Sequence, residues 1–407
     1  MPLRRLVLLA LLLVLGAGCA SPDSPDASEP DPDAPLLLIS IDGMRWDYLD
    51  VHDAPTLSRL ATEGTHIDRL VPVFPSKTFP NHYSIVTGLY PSNHGIIANN
   101  MYDPAMDASF SLDDRDAVES PDWWGGEPIW VTAEEQGLTA ATYFWPGSEA
   151  PIQGVRPSDW FRYDGSVPGT TRVDQALEWL DRPSDTRPDF MTLYFSRVDT
   201  KGHYHGPTSD SVAVALQEVD GFLQRLVDGL EARGIEDEVN LIVTSDHGMT
   251  PTSSDRTIVL DEYIDLDDVR LIDMNPVAMM EPKDGASAEA LVETLDDVPH
   301  LSAYQKGTLP DTHDEVMRMF ARRAARSVGD ADIRRVQRHK VRYGLEQFLP
   351  GALHLRRKEL EAHTDVVIFK DITNRHTVSY LLISRIPTRP WPHPCPSCSF
   401  ITTSRKA

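Results

Sequence analysis

Leu36-Leu37-Leu38-Ile39-Ser40-Ile41-Asp42 is an apolar run that ends in a carboxylate, and two later stretches repeat the pattern. Phe190-Met191-Thr192-Leu193-Tyr194-Phe195 leads to Asp199, with His203 four residues on. Leu241-Ile242-Val243-Thr244-Ser245 runs into Asp246-His247-Gly248. In an open α/β sheet, ligands collect at the carboxyl ends of the strands, so three strand-end aspartates are expected to converge in one crevice. Carboxylates and imidazoles that meet without thiolates make a hard-to-borderline divalent-metal site, and two such clusters imply two ions.

Outward from these runs, residues 36–315 alternate strand, loop and helix. Residues 56–63 and 171–182 read as helices. Asp210 to Gly234 is the clearest, with Val212, Leu216, Val219, Phe222, Leu223 and Leu226 on one apolar stripe. The alternation predicts an α/β sandwich around a mostly parallel sheet, with helices on both faces. No internal repeat is present.

With 407 residues the chain is long enough to bury a large core, and its 62 acidic against 38 basic residues argue against a surface that coats nucleic acid. Residues 1–19 read as an export signal: Arg4-Arg5, then the apolar run Leu6 to Leu15, then Gly16-Ala17-Gly18-Cys19. Small residues directly before Cys19 point to a lipoprotein-type cleavage site, with simple secretion as the alternative. Residues 20–35, rich in Pro, Asp and Ser, read as a disordered tether. The chain is therefore expected in the periplasm or at the cell surface as an outer-membrane lipoprotein, touching the membrane only through a lipid on Cys19.

The composition then turns over. Residues 317–407 carry 18 Lys and Arg against 7 Asp and Glu, whereas residues 1–316 carry 20 against 55. Residues 316–407 thus form an atypical basic segment. It reads either as a divergent or frame-disrupted C-terminus or as a basic face for nucleic acid or anionic lipid, and the first reading is favoured. Cys395 and Cys398 lack the second pair that a metal knuckle needs.

The second strong signal is Phe74-Pro75-Ser76-Lys77-Thr78-Phe79-Pro80-Asn81-His82-Tyr83. Pro80 suits the first turn of a helix, and Asn81 to Thr87 can continue it. Thr78 would then stand at a helix N-terminus, where amide donors and the dipole favour negative charge. Taken alone, a threonine before Phe-Pro reads as a surface helix cap.

From Thr78 the sequence continues through Ser84-Ile85-Val86-Thr87-Gly88-Leu89-Tyr90-Pro91, His94-Gly95-Ile96-Ile97, Asn99 and Met101-Tyr102-Asp103-Pro104. Further on stand Glu127-Pro128-Ile129-Trp130, Phe144-Trp145-Pro146-Gly147-Ser148, Asp199-Thr200-Lys201-Gly202-His203-Tyr204-His205-Gly206-Pro207 and Ser245-Asp246-His247-Gly248-Met249. In this order they closely resemble the nucleotide pyrophosphatase/phosphodiesterase family of the alkaline phosphatase superfamily. The resemblance implies an alkaline-phosphatase-like sandwich and a zinc-dependent phosphodiesterase acting on a small nucleotide or phosphodiester, with no nucleic-acid partner. It implies Thr78 as nucleophile, and Asn99 as donor to a non-bridging phosphate oxygen. One zinc ion (Zn2+) falls to Asp42, Thr78, Asp246 and His247, and a second to Asp199 and His203. Phe79 and Tyr194 become a slot for the base, while His82, His94 and His205 are left with structural duties.

One departure bears on activity. The family completes its second zinc with a histidine in a His-Gly-Tyr-Asp motif, and that motif does not occur here. The tail offers His313, His339, His354, His363, His376 and His393 instead, none in a matching context. A catalytically impaired homologue therefore stands beside the nucleotide hydrolase, and within the enzyme reading choline-phosphate lipids are an alternative substrate. A third, a basic-tailed surface-binding protein, requires the tail to fold.

Overall fold

β1 (Leu36–Ile41) lies in the middle of the central sheet, and its composition explains why. A strand covered on both faces by helices has no solvent side, so it is apolar along its length rather than alternating. β1 and β7 (Phe190–Phe195) are both of this kind. The computed structural model describes residues 34–254, 257–274, 277–305 and 308, together with the backbone of strands Val366–Lys370 and Ser379–Arg385. The signal, Cys19, most of the tether, Cys395 and Cys398, and the six tail histidines lie outside the described residues.

The remaining strands of the central sheet are β2 (Thr65–Leu70), β5 (Ala140–Tyr143), β6 (Asp159–Trp160), β8 (Asn240–Thr244) and β13 (Ser379–Arg385). Their order is β2-β13-β8-β1-β7-β5-β6. β8, β1, β7, β5 and β6 run parallel, and β13 runs antiparallel to both β8 and β2. A second sheet is antiparallel, in the order β11-β12-β10-β9: β9 is Val269–Asp273, β10 Val277–Pro282, β11 Leu301–Gln305 and β12 Val366–Lys370. A hairpin, β3 (Asn100–Asp103) with β4 (Ala108–Ser111), forms a third. Two strands of the basic C-terminal segment thus enter the two larger sheets. No described helix is long and apolar enough to cross a membrane.

Alternation along β1 sorts its side chains between two cores. Leu37, Ile39 and Ile41 pack with Val173, Ala176, Leu177, Val212, Leu216, Val219 and Leu223 from helices Gly169–Leu180 and Asp210–Glu231. Leu38 joins Phe79, Tyr83 and Val86 of helix Thr78–Thr87 and Trp130 of helix Ile129–Glu135. The stripe on Asp210–Glu231 is buried as its spacing predicts, with Phe222 at the margin, and the three sequence-predicted helices form within three residues of their expected bounds.

The register sets the site. Ser40 stands level with both Tyr194 and Thr244, so Asp42 and Asp246, each two residues further on, leave neighbouring strands at the same height.

Candidate functional site

β8, β1 and β7 are adjacent and parallel, so the residues after their C-termini meet at one end of the sheet. The crossing is close. Asp199 donates its backbone N–H to Asp42 O at 3.1 Å, and Gly43 donates its own to Asp246 Oδ1 at 3.2 Å. Gly43 has φ +71°, and a Cβ there would stand 2.8 Å from Asp199 Cα, so only glycine admits this approach.

The three carboxylates are oriented by what surrounds them. Asp42 Oδ2 accepts from the Tyr194 hydroxyl at 2.5 Å. Asp42 Oδ1, Asp199 Oδ1 and Asp246 Oδ2 are buried without a well-formed hydrogen bond. Imidazole nitrogens stand near them: His247 Nε2 at 3.5 Å from Asp42, His203 Nε2 at 3.2 Å from Asp199, and His247 Nε2 and His82 Nδ1 at 3.2 and 3.3 Å from Asp246. Carboxylates left bare in a buried cluster repel one another unless a cation joins them. Burial, reinforced by Asp246 and Asp199, pushes the Asp42 carboxyl well above the usual carboxylate range. Burial works the same way on Asp246, but the His247 and His82 imidazoles, when protonated, outweigh it and hold that carboxyl low.

The histidines divide by tautomer. His247 Nδ1 faces Gly248 O at 2.9 Å, and a carbonyl only accepts, so Nδ1 carries the hydrogen. The Nε2 lone pair then faces Asp42, Asp246 and Thr78 Oγ1, the last at 3.4 Å. That is the arrangement of a metal-ligating imidazole, its far nitrogen fixed by a carbonyl. His82 is bound at both ends. Nδ1 donates to Thr78 O at 2.9 Å and Nε2 meets Ser40 Oγ at 2.8 Å, which makes it a support for the helix and for Asp246 rather than a ligand. Ligand atoms of Asp42, Asp199 and His247 lie within 4.8 Å of one another, as do those of Asp42, His82 and Asp246. The first group, with Asp246 beside it, fits a divalent cation in donor chemistry and in its bare oxygens. Asp199 and His203 pair on helix Arg197–His205, and the Asp199 carboxylate facing the ring nitrogen raises the His203 pKa. The His203 side chain is 69% exposed.

Thr78 opens helix Thr78–Thr87, as expected from Pro80. The residue before it, Lys77, is extended and gives no side-chain cap. Helix N–H groups at this end therefore remain for other acceptors. One goes to Asn99: the Phe79 N–H donates to Asn99 Oδ1 at 3.0 Å, which identifies the other amide atom, Nδ2, as a donor beside Thr78.

Phe79 and Tyr194, the two residues expected to form a slot for a base, stand in different surroundings. Phe79 packs against Phe110 and Trp124, at centroid separations of 5.7 and 6.0 Å. Tyr194 is buried on a central strand, its ring beside His82 and Tyr163 and its hydroxyl committed to Asp42. Burial raises the Tyr194 pKa well above the ordinary value, which keeps this hydroxyl a donor. Tyr163, which the sequence gives no reason to single out, packs on Tyr194 and is 38% exposed.

The geometry agrees with three comparisons. Residues 36–334 match the family described as type I phosphodiesterase / nucleotide pyrophosphatase. Mouse ectonucleotide pyrophosphatase/phosphodiesterase family member 1 is 43% identical over 304 residues, which is 72% of this chain and 33% of that protein. The venom phosphodiesterase CdcPDE of Crotalus durissus collilineatus is 47% identical over 249 residues, 61% of this chain and 30% of its own. The chain thus spans about a third of the length of the curated relatives it matches. Among solved structures, murine ectonucleotide pyrophosphatase/phosphodiesterase 5 superposes with TM-score 0.66 at 37% identity, over 69% of this chain and 74% of that one. An inactive threonine-to-alanine variant of that protein, solved in complex with AMP, superposes equally well. On sequence and fold together, the chain belongs to the type I phosphodiesterase/nucleotide pyrophosphatase family.

Proposed function

We propose that this chain hydrolyses nucleotide pyrophosphate and phosphodiester bonds through a covalent intermediate on Thr78, with two zinc ions, and releases a nucleoside monophosphate. One observation carries the reading: three buried carboxylate oxygens on Asp42, Asp199 and Asp246 accept no well-formed hydrogen bond, beside a hydroxyl at a helix N-terminus. Asp42, Asp246, His247 and Thr78 would hold one ion, and Asp199 and His203 the other. Bound zinc would supply Lewis-acid charge at the attacking and leaving oxygens of an in-line displacement.

Thr78 Oγ1 forms a bond to phosphorus as the bond to the leaving oxygen breaks, and the hydroxyl proton ends on the leaving group. Water then attacks the same phosphorus, the Thr78 ester bond breaks, and the hydroxyl is restored. Asn99 Nδ2 donates to a non-bridging oxygen as charge builds there. Aromatic surface for a base comes from Phe79 and from the exposed ring of Tyr163, which leans on Tyr194.

The relatives' names give the substrate class its support, and the AMP complex of the murine structure matches the proposed product. An impaired homologue has one observation in its favour: His203 is mostly exposed, and among the described residues it and Asp199 make a two-ligand site. Replacing Thr78 with Ala tests the proposal. Turnover should fall by at least about 10³-fold while zinc binding is largely kept, since the hydroxyl is one of four ligands. Full activity in Thr78→Ala removes the nucleophile and the reading with it. Export, with a lipid on Cys19, belongs to the same proposal, and mass spectrometry of the mature N-terminus tests it.

A further inference from the structure

Lys77 stands next to Thr78, yet its ammonium does not face the carboxylate cluster. It is buried in an ion pair with Asp273 Oδ2, at the end of β9, and donates to Met274 O at 3.0 Å. Both partners are nearly inaccessible, Lys77 at 8% and Asp273 at 6%. The other carboxylate oxygen, Asp273 Oδ1, accepts from Asn100 Nδ2 at 3.1 Å and from the Met274 N–H at 2.9 Å. Asp273 therefore reads two segments at once, and each adjoins a proposed active-site residue: Lys77 precedes Thr78, and Asn100 follows Asn99.

These contacts close a ring. Asp273 holds Lys77; the chain runs through Thr78 to Phe79, whose N–H donates to Asn99 Oδ1; Asn100 returns to Asp273. Lys77 is held at its backbone too. Its N–H donates to Pro75 O at 2.8 Å, and its carbonyl accepts from Asn81 Nδ2 at 2.9 Å. Breaking one partner of a buried charged pair leaves the other uncompensated, so the ring has one low-energy arrangement. Asp273 itself belongs to the antiparallel sheet, paired with Met279 of β10.

We infer that Asp273 is a positioning residue that fixes the separation of Thr78 Oγ1 from the Asn99 amide, through Lys77 and Asn100. Lys77 is then no phosphate ligand but one arm of a strut. The inference rests on the phosphodiesterase reading of the site. A displacement of about 1 Å between reacting groups costs on the order of 10²-fold in rate.

Two variants test it on the full chain, with a chromogenic nucleotide phosphodiester as substrate. Asn100→Ala removes one arm without exposing a charge. The pair Lys77→Met with Asp273→Asn removes the other and leaves no ammonium unpaired. Each should lower kcat about 10- to 100-fold, with KM within about threefold of the parent and zinc per chain unchanged. Parental kcat in both overturns the inference while the phosphodiesterase reading stands. Loss of zinc together with activity also overturns it, because the ring would then be general scaffolding. An inactive parent chain overturns the phosphodiesterase reading, and this inference with it.

Discussion

His94 makes the stability of the site helix depend on pH in a way the structure quantifies. Its ring is buried against Tyr83, with centroids 4.9 Å apart. The Ile96 N–H donates to Nδ1 at 3.2 Å, so Nδ1 is the unprotonated nitrogen and Nε2–H donates to Ser84 Oγ at 2.9 Å, on helix Thr78–Thr87. Protonation must place a hydrogen on Nδ1, against the Ile96 donor and on a side chain with no exposed surface. Burial accordingly lowers the pKa from 6.5 to about 4. Between those values the unfolded chain binds the proton and the folded chain does not, so stability falls as pH drops through this window. Two and a half pKa units at 1.36 kcal/mol each, reduced because pH 4 only reaches the folded pKa, leave about 3 kcal/mol lost between pH 7 and 4. Asp42 acts with the opposite sign, since its raised pKa lets the folded chain hold more protons. The contribution of His94 is therefore read as a difference. Urea unfolding of the parent and of His94→Asn, whose amide oxygen can still accept from Ile96, should give stability curves that converge by about 3 kcal/mol as pH falls to 4. Parallel curves would refute the reasoning, because they would mean that His94 titrates alike in both states.

Other consequences follow from single contacts. Tyr194→Phe removes the donor on Asp42 Oδ2 and should weaken zinc binding about 10- to 100-fold in competition with a chromogenic chelator; unchanged affinity would return Tyr194 to a purely packing role. Asp220 is buried and accepts from Thr56 N and Leu57 N at 3.1 and 2.8 Å, anchoring the start of helix Pro55–Glu63. Asp220→Ala leaves two buried donors unsatisfied and should cost about 2–4 kcal/mol in urea unfolding, whereas a loss below about 0.5 kcal/mol would mean water replaces the carboxylate. Gly43→Ala should prevent Asp42 and Asp199 from meeting, and zinc content measured after dialysis should fall; full occupancy would show that the crossing can shift.

Much of this site was legible because strand periodicity and strand ends are local properties. The run from Leu36 to Asp42 is apolar over a strand's length, and the rule that parallel sheets gather ligands at their carboxyl ends brought Asp42, Asp199 and Asp246 together before any pairing was known. The helix opening at Thr78 was legible for the same reason, from Pro80. What escaped were pairings set by distant segments. The resemblance gave Tyr194 a place in a base slot, but its hydroxyl direction depends on β7 lying beside β1. The Lys77–Asp273 pair spans 196 positions, and no spacing rule announces it. Tyr163 lies on a loop with no periodic signal, and its position beside Tyr194 follows from the packed fold. The antiparallel sheet draws β12 from the basic segment, whose composition resembles nothing before it.

The most direct test of the central claim is hydrolysis of a chromogenic nucleotide phosphodiester by the purified mature chain, with zinc added and with zinc chelated. The buried, bare carboxylates around His247 and Thr78 predict turnover that is lost on chelation and restored by zinc. Folded, zinc-loaded protein that fails to turn over, or turnover indifferent to chelation, would contradict it.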